Sequence, residues 1–193
     1  DLQQALSTKL TLPFGYNISY GGAYSEQQQS FRELTMILLL AILLVFAVLM
    51  FLFREWRISL IILFISILGI CGCLLALWLT GIPLNVSSYT GIIMVVGIIA
   101  ENAIFTVWQY RMNRNRGGNI SEAVDYAIAL RIRPKLMTAI GAVLALMPLA
   151  LGIGLGAQMQ QPLAVAVIGG FAVGLPLLLL VLPGMMLLIY KKK

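Results

Sequence analysis

The chain has 193 residues and a formal net charge of +6, yet only 10% of its residues are charged and 61% are hydrophobic. Soluble globular domains average about 25% charged residues, so this composition excludes an ordinary soluble domain and indicates an integral membrane protein. The sequence contains no histidine, no nucleotide-binding loop and no catalytic cluster, so nothing in it favours an enzyme.

Five apolar stretches reach or approach the roughly 20 residues that a membrane-spanning helix requires. They predict an all-α polytopic membrane protein with transmembrane helices at about 34–53, 58–79, 87–108, 136–157 and 163–190. Residues 1–33 are more polar and indicate the end of an external domain, because about 30 residues cannot build a core alone. The first apolar stretch begins too late and runs too long for a signal peptide.

The basic residues predict the orientation of these helices in the membrane. All of the 13 lysines and arginines except Lys9 and Arg32 follow the first span, follow the third span or lie in the tail 191–193. Cytoplasmic loops carry an excess of Lys and Arg, so we expect an external N-terminal segment and a cytoplasmic C-terminus. Because the charges are spread over three segments without interleaved aromatic residues, the expected partner is the lipid bilayer and not a nucleic acid.

The long segment between the third and fourth spans predicts a short cytoplasmic helix at about 120–132. Asn119 stands three residues before Glu122, which is a capping-box spacing, although Ser121 is a rival cap. The apolar residues that follow recur at helical spacing, which favours an amphipathic helix in the membrane interface over a merely solvated linker. Pro134 is expected to end this helix and to begin the fourth span.

Glu101 and its neighbour Asn102 stand in the middle of the third span. A charged side chain at the centre of a membrane helix costs on the order of 2.5–3.5 kcal/mol on insertion scales, so something must compensate for it. One interpretation is that Glu101 carries a proton, or forms half of a charge pair that switches with protonation, since intramembrane carboxylates usually belong to ion pathways. The alternative is that Glu101 stays protonated and only hydrogen-bonds a neighbouring helix.

Small residues near Glu101 predict that other helices approach the third span closely, so that the carboxyl faces the interior of a helix bundle. These expected packing residues are Gly91, Gly97, Ala100 and Ala103. The predicted spans contain no other Asp, Glu, Lys, Arg or His. A cationic partner for Glu101 is therefore expected from Arg131 or Arg133 in the cytoplasmic segment, from another chain, or from sequence outside this one.

The sulfur-containing residues favour packing over metal binding. Cys71 and Cys73 are two residues apart on a predicted helix, so their side chains point about 200° apart and cannot readily grip one ion. Soft thioethers can bind Cu(I), but methionine more often fills gaps in a core. A metal path along the scattered methionines stays open as the alternative, with three candidate residues: Met36, Met94 and Met147.

Several motifs occur in a fixed order along nearly the whole chain. The upstream motifs are Leu12-Pro13-x-Gly15-Tyr16, Tyr20-Gly21-Gly22 and Leu79-x-Gly81-Ile82-Pro83-Leu84. The others are Gly91-x5-Gly97-x3-Glu101-Asn102-Ala103-Ile104, Arg131-x-Arg133-Pro134-x-Leu136-Met137-Thr138, Leu146-x-Pro148-Leu149-Ala150, Gly156-Ala157-x3-Gln161-Pro162-Leu163-Ala164 and Val167-Ile168-Gly169-Gly170. Together they resemble the C-terminal half of the resistance-nodulation-division (RND) efflux permeases. The resemblance implies that the five spans are the eighth to twelfth helices of a twelve-helix bundle, and that residues 1–33 end a periplasmic porter domain.

The same resemblance implies a function and a set of partners. RND permeases use the proton gradient, without a cofactor, to export drugs, metals or lipids from the bacterial inner membrane. The implied partners are the N-terminal half of the same permease, two further copies in a homotrimer, a periplasmic adaptor and an outer-membrane channel. A non-transporting membrane scaffold, or the orphan half of a split transporter, is the alternative.

The resemblance also implies which residues take part in the proton relay: Glu101, Asn102, Arg131 and Thr138. Glu101 departs from the common drug-pump pattern, which has Lys at this position, whereas some heavy-metal pumps of the family have an acid there. This departure favours export of heavy-metal ions. Two alternatives stay open: Thr138 only hydrogen-bonds its own helix, and Arg131 only anchors the cytoplasmic side.

Overall fold

The computed structural model describes residues 23–115 and 120–191, and nearly all of them lie in five long helices. These are α1 Ala23–Phe53, α2 Trp56–Thr80, α3 Val86–Arg114, α4 Ile120–Ala150 and α5 Ala157–Lys191. Each helix contains a stretch long and apolar enough to cross a membrane, and no strand occurs within the described residues. The predicted all-α fold with five spans is therefore confirmed.

The first helix begins earlier than the sequence predicts. α1 already starts at Ala23, so residues 23–33, which the sequence predicts to end an external domain, are helical and continuous with the first span. The rest of the predicted porter-domain segment, before Ala23, lies outside the described residues. The difference arises because a helix can continue beyond the apolar stretch, with its polar turns in the headgroup region or in water.

α4 joins two segments that the sequence predicts separately. The prediction of an interfacial helix at 120–132, ended by Pro134, is wrong: one helix runs from Ile120 to Ala150 with Pro134 inside it. Its early apolar face, Ala123, Val124 and Ala127, is buried in the helix bundle and does not lie on a lipid surface. A proline inside a membrane helix is tolerated where neighbouring helices support the backbone groups that it frees.

The fourth helix also ends earlier than predicted, at Ala150 instead of residue 157. Gly152, Gly154 and Gly156 in the following turn have positive φ angles, which glycine adopts without steric cost. The Gln161 side chain donates a hydrogen bond from Nε2 to the carbonyl oxygen of Ala150 at 2.9 Å. This bond satisfies one of the carbonyls that the end of a helix leaves unpaired.

α5 is the central helix of the bundle, since it packs against α2, α3 and α4, while α1 packs on the α2 and α3 side. Glycines allow the backbones of α2 and α5 to approach closely. A Cβ atom added at Gly72 would lie 2.8 Å from the carbonyl oxygen of Gly169, and one added at Gly169 would lie 2.7 Å from that of Gly72. Small residues permit such close crossings in membrane bundles.

Arg111, near the end of α3, contacts the residues that connect α1 to α2, at the corner between the two helices. Its Nη2 atom donates a hydrogen bond to the carbonyl oxygen of Phe53 at 2.8 Å and lies 3.6 Å from Oε1 of Glu55. The guanidinium carbon also lies 5.1 Å from the centre of the Phe53 ring, within the range of a cation–π interaction. Because Phe53 is the last residue of α1, this contact caps the helix and fixes three helix ends on one side of the bundle.

We expect Arg111→Met to destabilise the protein by about 1–2 kcal/mol, because a hydrogen bond from a charged donor to a helix-terminal carbonyl is lost. Thermal unfolding of the purified protein in detergent would measure this as a lower Tm. Arg54→Met is the matched control, since Arg54 is an exposed arginine at the same corner. An equal fall in Tm for both variants would show that only the loss of positive charge matters there.

Candidate functional site

A cavity of about 360 Å³ lies between α3, α4 and α5. The four residues predicted to form a proton relay all line it: Glu101, Asn102, Arg131 and Thr138. The remaining lining residues are Ile98, Phe105, Pro134, Lys135, Ala139, Ala142, Phe171 and Leu175. The cavity is therefore mostly apolar, with a small group of polar and charged side chains on α3 and α4.

Glu101 lies on an exposed face of α3. Gly97, one turn before it, and Phe105, one turn after it, are exposed as well. Within the described part of the chain, Glu101 forms no hydrogen bond and no ion pair. The carboxyl therefore does not face the interior of this five-helix bundle, contrary to the expectation from the sequence, and it stands at the open side of the cavity.

Of the four small residues predicted to pack around Glu101, not all lie against a neighbouring helix. A Cβ atom at Gly91 would lie 3.0 Å from the carbonyl oxygen of Leu163, so α5 approaches α3 closely there. Ala100 and Ala103 are buried in the bundle core. Gly97 differs, because a Cβ atom added to it would meet nothing within 4 Å among the described residues. The sequence shows which residues are small, but not which face of α3 the neighbouring helices cover.

Lys135 is a buried cation in this cavity that the sequence analysis did not identify. Its side chain is only 4% exposed, and its Nζ atom donates a hydrogen bond to Oγ1 of Thr106 at 2.6 Å. The sequence predicts a helix boundary at Pro134 and a fourth span from residue 136, which leaves Lys135 in the cytoplasmic segment. In the continuous α4, Lys135 lies one turn after Arg131, and this helical spacing is the signal that could have revealed it.

Lys135 ends a series of hydrogen bonds that starts on α3. Asn102 donates from Nδ2 to the carbonyl oxygen of Ile98, and Thr106 donates from Oγ1 to the carbonyl oxygen of Asn102, each at 2.9 Å. The Thr106 hydroxyl then accepts the bond from Lys135. The polar group of α3 is thereby joined to α4 through a single ammonium group.

Arg131 and Thr138 complete the polar side of the cavity. The guanidinium carbon of Arg131 lies 4.9 Å from the centre of the Phe105 ring, a cation–π contact, and its buried Nε atom has no hydrogen-bond partner among the described residues. Thr138 donates from Oγ1 to the carbonyl oxygens of Pro134 and Lys135, both at 3.0 Å. Its hydroxyl proton is thus used within its own helix, which was one of the two interpretations left open by the sequence.

The sulfur-containing residues lie outside this cavity. Cys71 is exposed and Cys73 is buried, in agreement with side chains that point apart. Over residues 23–115 and 120–191, no group of three or more His, Cys, Asp or Glu side chains is placed to hold a metal ion. The path along Met36, Met94 and Met147 stays a prediction.

Comparison with known proteins identifies the class to which this fold and cavity belong. The model of the AcrB/AcrD/AcrF family matches residues 1–190, so the chain belongs to this family of RND permeases. It is thus similar to multi-pass membrane transporters.

Individual relatives include both metal and drug pumps. The chain is 33% identical to the cobalt-zinc-cadmium resistance protein CzcA of Cupriavidus metallidurans over 192 residues, which are 100% of this chain and 18% of that protein. It is 34% identical to the multidrug resistance protein MdtC of Erwinia tasmaniensis over 177 residues, 91% of this chain and 17% of that one. It also matches the crystal structure of a heavy metal efflux pump with a TM-score of 0.78 and 34% identity, covering 98% of this chain and 19% of that one. The chain therefore spans about a fifth of the length of these relatives.

Proposed function

We propose that this chain is a C-terminal transmembrane portion of a proton-driven RND permease that exports heavy-metal ions. The observation that carries the proposal is the cavity between α3, α4 and α5, which holds an acid, Glu101, and a buried cation, Lys135. Ionisable groups are expensive within a membrane and usually mark ion or proton pathways. A non-transporting scaffold offers no reason for the chain to keep both groups there.

The two charges supply a means of coupling protonation to movement. An ionised Glu101 attracts the Lys135 ammonium across the cavity, and a proton on Glu101 removes that attraction. Loading and unloading one proton therefore changes the force between α3 and α4. A transporter that works by such a switch needs two arrangements of packed helices, each favoured in one protonation state. The proton gradient supplies the energy, and no cofactor is required.

The choice of heavy-metal ions rests on Glu101 and on the relatives. An acid at this position resembles some heavy-metal pumps of the family and differs from the lysine of common drug pumps. Among the similar proteins are a cobalt-zinc-cadmium resistance protein and a structure of a heavy metal efflux pump. A multidrug resistance protein is similar to the chain at nearly the same identity, so sequence identity does not decide the substrate and a direct test is needed.

We expect cells that produce the permease containing this chain to grow at several-fold higher concentrations of cobalt, zinc, cadmium, copper or silver ions than cells without it. Minimal inhibitory concentrations measure this effect, and dyes and detergents serve as comparison compounds. Better tolerance of dyes and detergents without better tolerance of metals would overturn the assignment to metals. That result would not contradict the proposed role of the cavity in proton coupling.

The proposal includes a location and an orientation. Arg54, Arg57, Arg111 and Arg114 lie at the helix ends that meet at the corner between α1 and α2, which supports a cytoplasmic position for that side. The C-terminus is then cytoplasmic, and residues 1–22 lie in the periplasm above the inner membrane. In the complete permease, the N-terminal half would cover the exposed face of α3 that carries Glu101. We also propose a homotrimer that joins a periplasmic adaptor and an outer-membrane channel.

A further inference from the structure

Thr106 is buried beside the cavity but is not among the residues that the motifs single out. Its hydroxyl is the only described group with a hydrogen bond from the Lys135 ammonium. We propose that Thr106 is a positioning residue for proton coupling, whose hydroxyl holds the Lys135 ammonium on α3 whenever Glu101 carries a proton. This inference rests on the proposed function of the cavity. It adds to the position of the Lys135 ammonium near ionised Glu101 a second position, on the Thr106 hydroxyl.

The direction of the hydrogen bonds fixes what Thr106 can do. Its hydroxyl proton is donated to the carbonyl oxygen of Asn102 at 2.9 Å, so only its lone pairs remain for other partners. An ammonium group offers three donors and no acceptor, which matches those lone pairs. The bond from Nζ of Lys135 measures 2.6 Å, just below the roughly 2.7–2.9 Å that is usual for charge-assisted N–H···O bonds.

Burial makes this partner necessary. Thr106 is 5% exposed and Lys135 is 4% exposed, so water reaches neither side chain freely. A buried ammonium without a partner is strongly unfavourable, because the solvation it loses is not replaced. When Glu101 is protonated and no longer attracts the ammonium, the Thr106 hydroxyl still accepts the hydrogen bond from Lys135.

The other charged groups near the ammonium favour the same arrangement. Glu101 on α3 is the acid that lines the cavity, and Arg131 on α4 is a like charge one turn before Lys135. The side of the cavity formed by α5 consists of Phe171 and Leu175, which carry no charge. The ammonium is therefore repelled by Arg131, and the hydrogen bond that it forms among the described residues goes to Thr106 on α3.

The two positions on α3 are separate. Thr106 follows Glu101 by five residues, which is about 7.5 Å along a helix axis at 1.5 Å per residue. In this structure the ammonium is bonded to Thr106, and no ion pair within the described residues joins it to Glu101. Five residues also turn the helix by about 140°, so Glu101 and Thr106 leave α3 on different faces. The proposal therefore requires that the flexible four-carbon stem of lysine carries the ammonium from Thr106 toward the open side of the cavity where Glu101 lies.

The test is the pH profile of metal transport by the complete permease with Thr106→Val. Valine has nearly the same shape as threonine but accepts no hydrogen bond, so the state with protonated Glu101 loses its partner for Lys135. Protonation then becomes less favourable, and we expect the profile to move toward acid by about one pH unit. Thr106→Ser restores the acceptor and is expected to restore the wild-type profile.

Thr90→Val is the matched control, because Thr90 is an exposed threonine of the same helix whose hydroxyl donates to the carbonyl oxygen of Val86 and contacts no lysine. A wild-type pH profile in Thr106→Val, or an identical shift in Thr106→Ser, would overturn the proposal. Immunoblots of membranes report the amount of each variant. If the valine variant does not accumulate, Thr106→Ala is expected to give a shift in the same direction, and an unchanged profile in that variant overturns the proposal equally.

Measuring Glu101→Gln in the same series separates the two proposals. If Glu101→Gln transports like the wild type, the proposed function of the cavity fails and the role of Thr106 fails with it. If Glu101→Gln is inactive while Thr106→Val keeps the wild-type pH profile, only the inference about Thr106 fails.

Discussion

We expect Glu101→Gln to reduce metal resistance to the level of cells that lack the permease, while the amount of protein in the membrane stays the same. Glutamine has nearly the shape of a protonated glutamate, but it can neither release a proton nor attract the Lys135 ammonium as an ion. The helices around the cavity would therefore keep one arrangement. Minimal inhibitory concentrations of zinc, cobalt and cadmium, with an immunoblot of membranes, measure both parts of this result.

Glu122→Gln is the matched control for that variant, because Glu122 is an exposed carboxylate near the start of α4 and lies outside the cavity. It is expected to keep wild-type resistance. If Glu101→Gln also keeps wild-type resistance, Glu101 is not the proton carrier. The alternative, an acid that stays protonated and only hydrogen-bonds a neighbouring helix, would then describe it better.

The second large effect is expected at the crossing of α2 and α5. A Cβ atom at Gly169 would lie 2.7 Å from the carbonyl oxygen of Gly72, closer than side-chain carbons normally approach, and would also collide with Ala76. The obstacle is backbone, which cannot rotate away, so Gly169→Ala must force the two helices apart. Overpacking of this kind costs typically about 1–3 kcal/mol, and here it disturbs the most extensive helix contact of the bundle.

Gly184→Ala is the control on the same helix, because a Cβ atom at Gly184 meets nothing within 4 Å among the described residues. We expect Gly169→Ala to lower both the Tm in detergent and the yield from membranes, and Gly184→Ala to leave both near the wild-type values. Equal stability of the two variants would mean that the crossing is looser than its geometry indicates.

The number and class of the helices follow from the sequence, because the bilayer imposes a simple requirement of length and apolarity on each span. The gathering of Glu101, Asn102, Arg131 and Thr138 at one cavity was also expected, but from the resemblance to a family and not from composition or spacing. Sequence patterns alone give no distance between helices that are far apart in the chain.

Lys135 shows why part of the site could not be predicted. Proline at residue 134 indicates a helix boundary, and with the fourth span predicted from residue 136 the lysine falls in the cytoplasmic segment. In the structure, tertiary packing keeps α4 continuous through the proline, and the same lysine becomes a buried cation bonded to Thr106. Gly97 gives the converse case: its size predicts packing, yet the described helices leave that face of α3 open.

The most direct test of a proton-carrying cavity is a measurement of proton movement during metal transport by the complete permease in proteoliposomes. A pH-sensitive dye inside the vesicles reports protons, and a metal-sensitive dye reports zinc or cobalt. The wild type should move protons opposite to the metal, and Glu101→Gln should move neither. Metal transport by the wild type without proton movement, or undiminished proton movement in Glu101→Gln, would contradict the assignment of this cavity as the proton carrier.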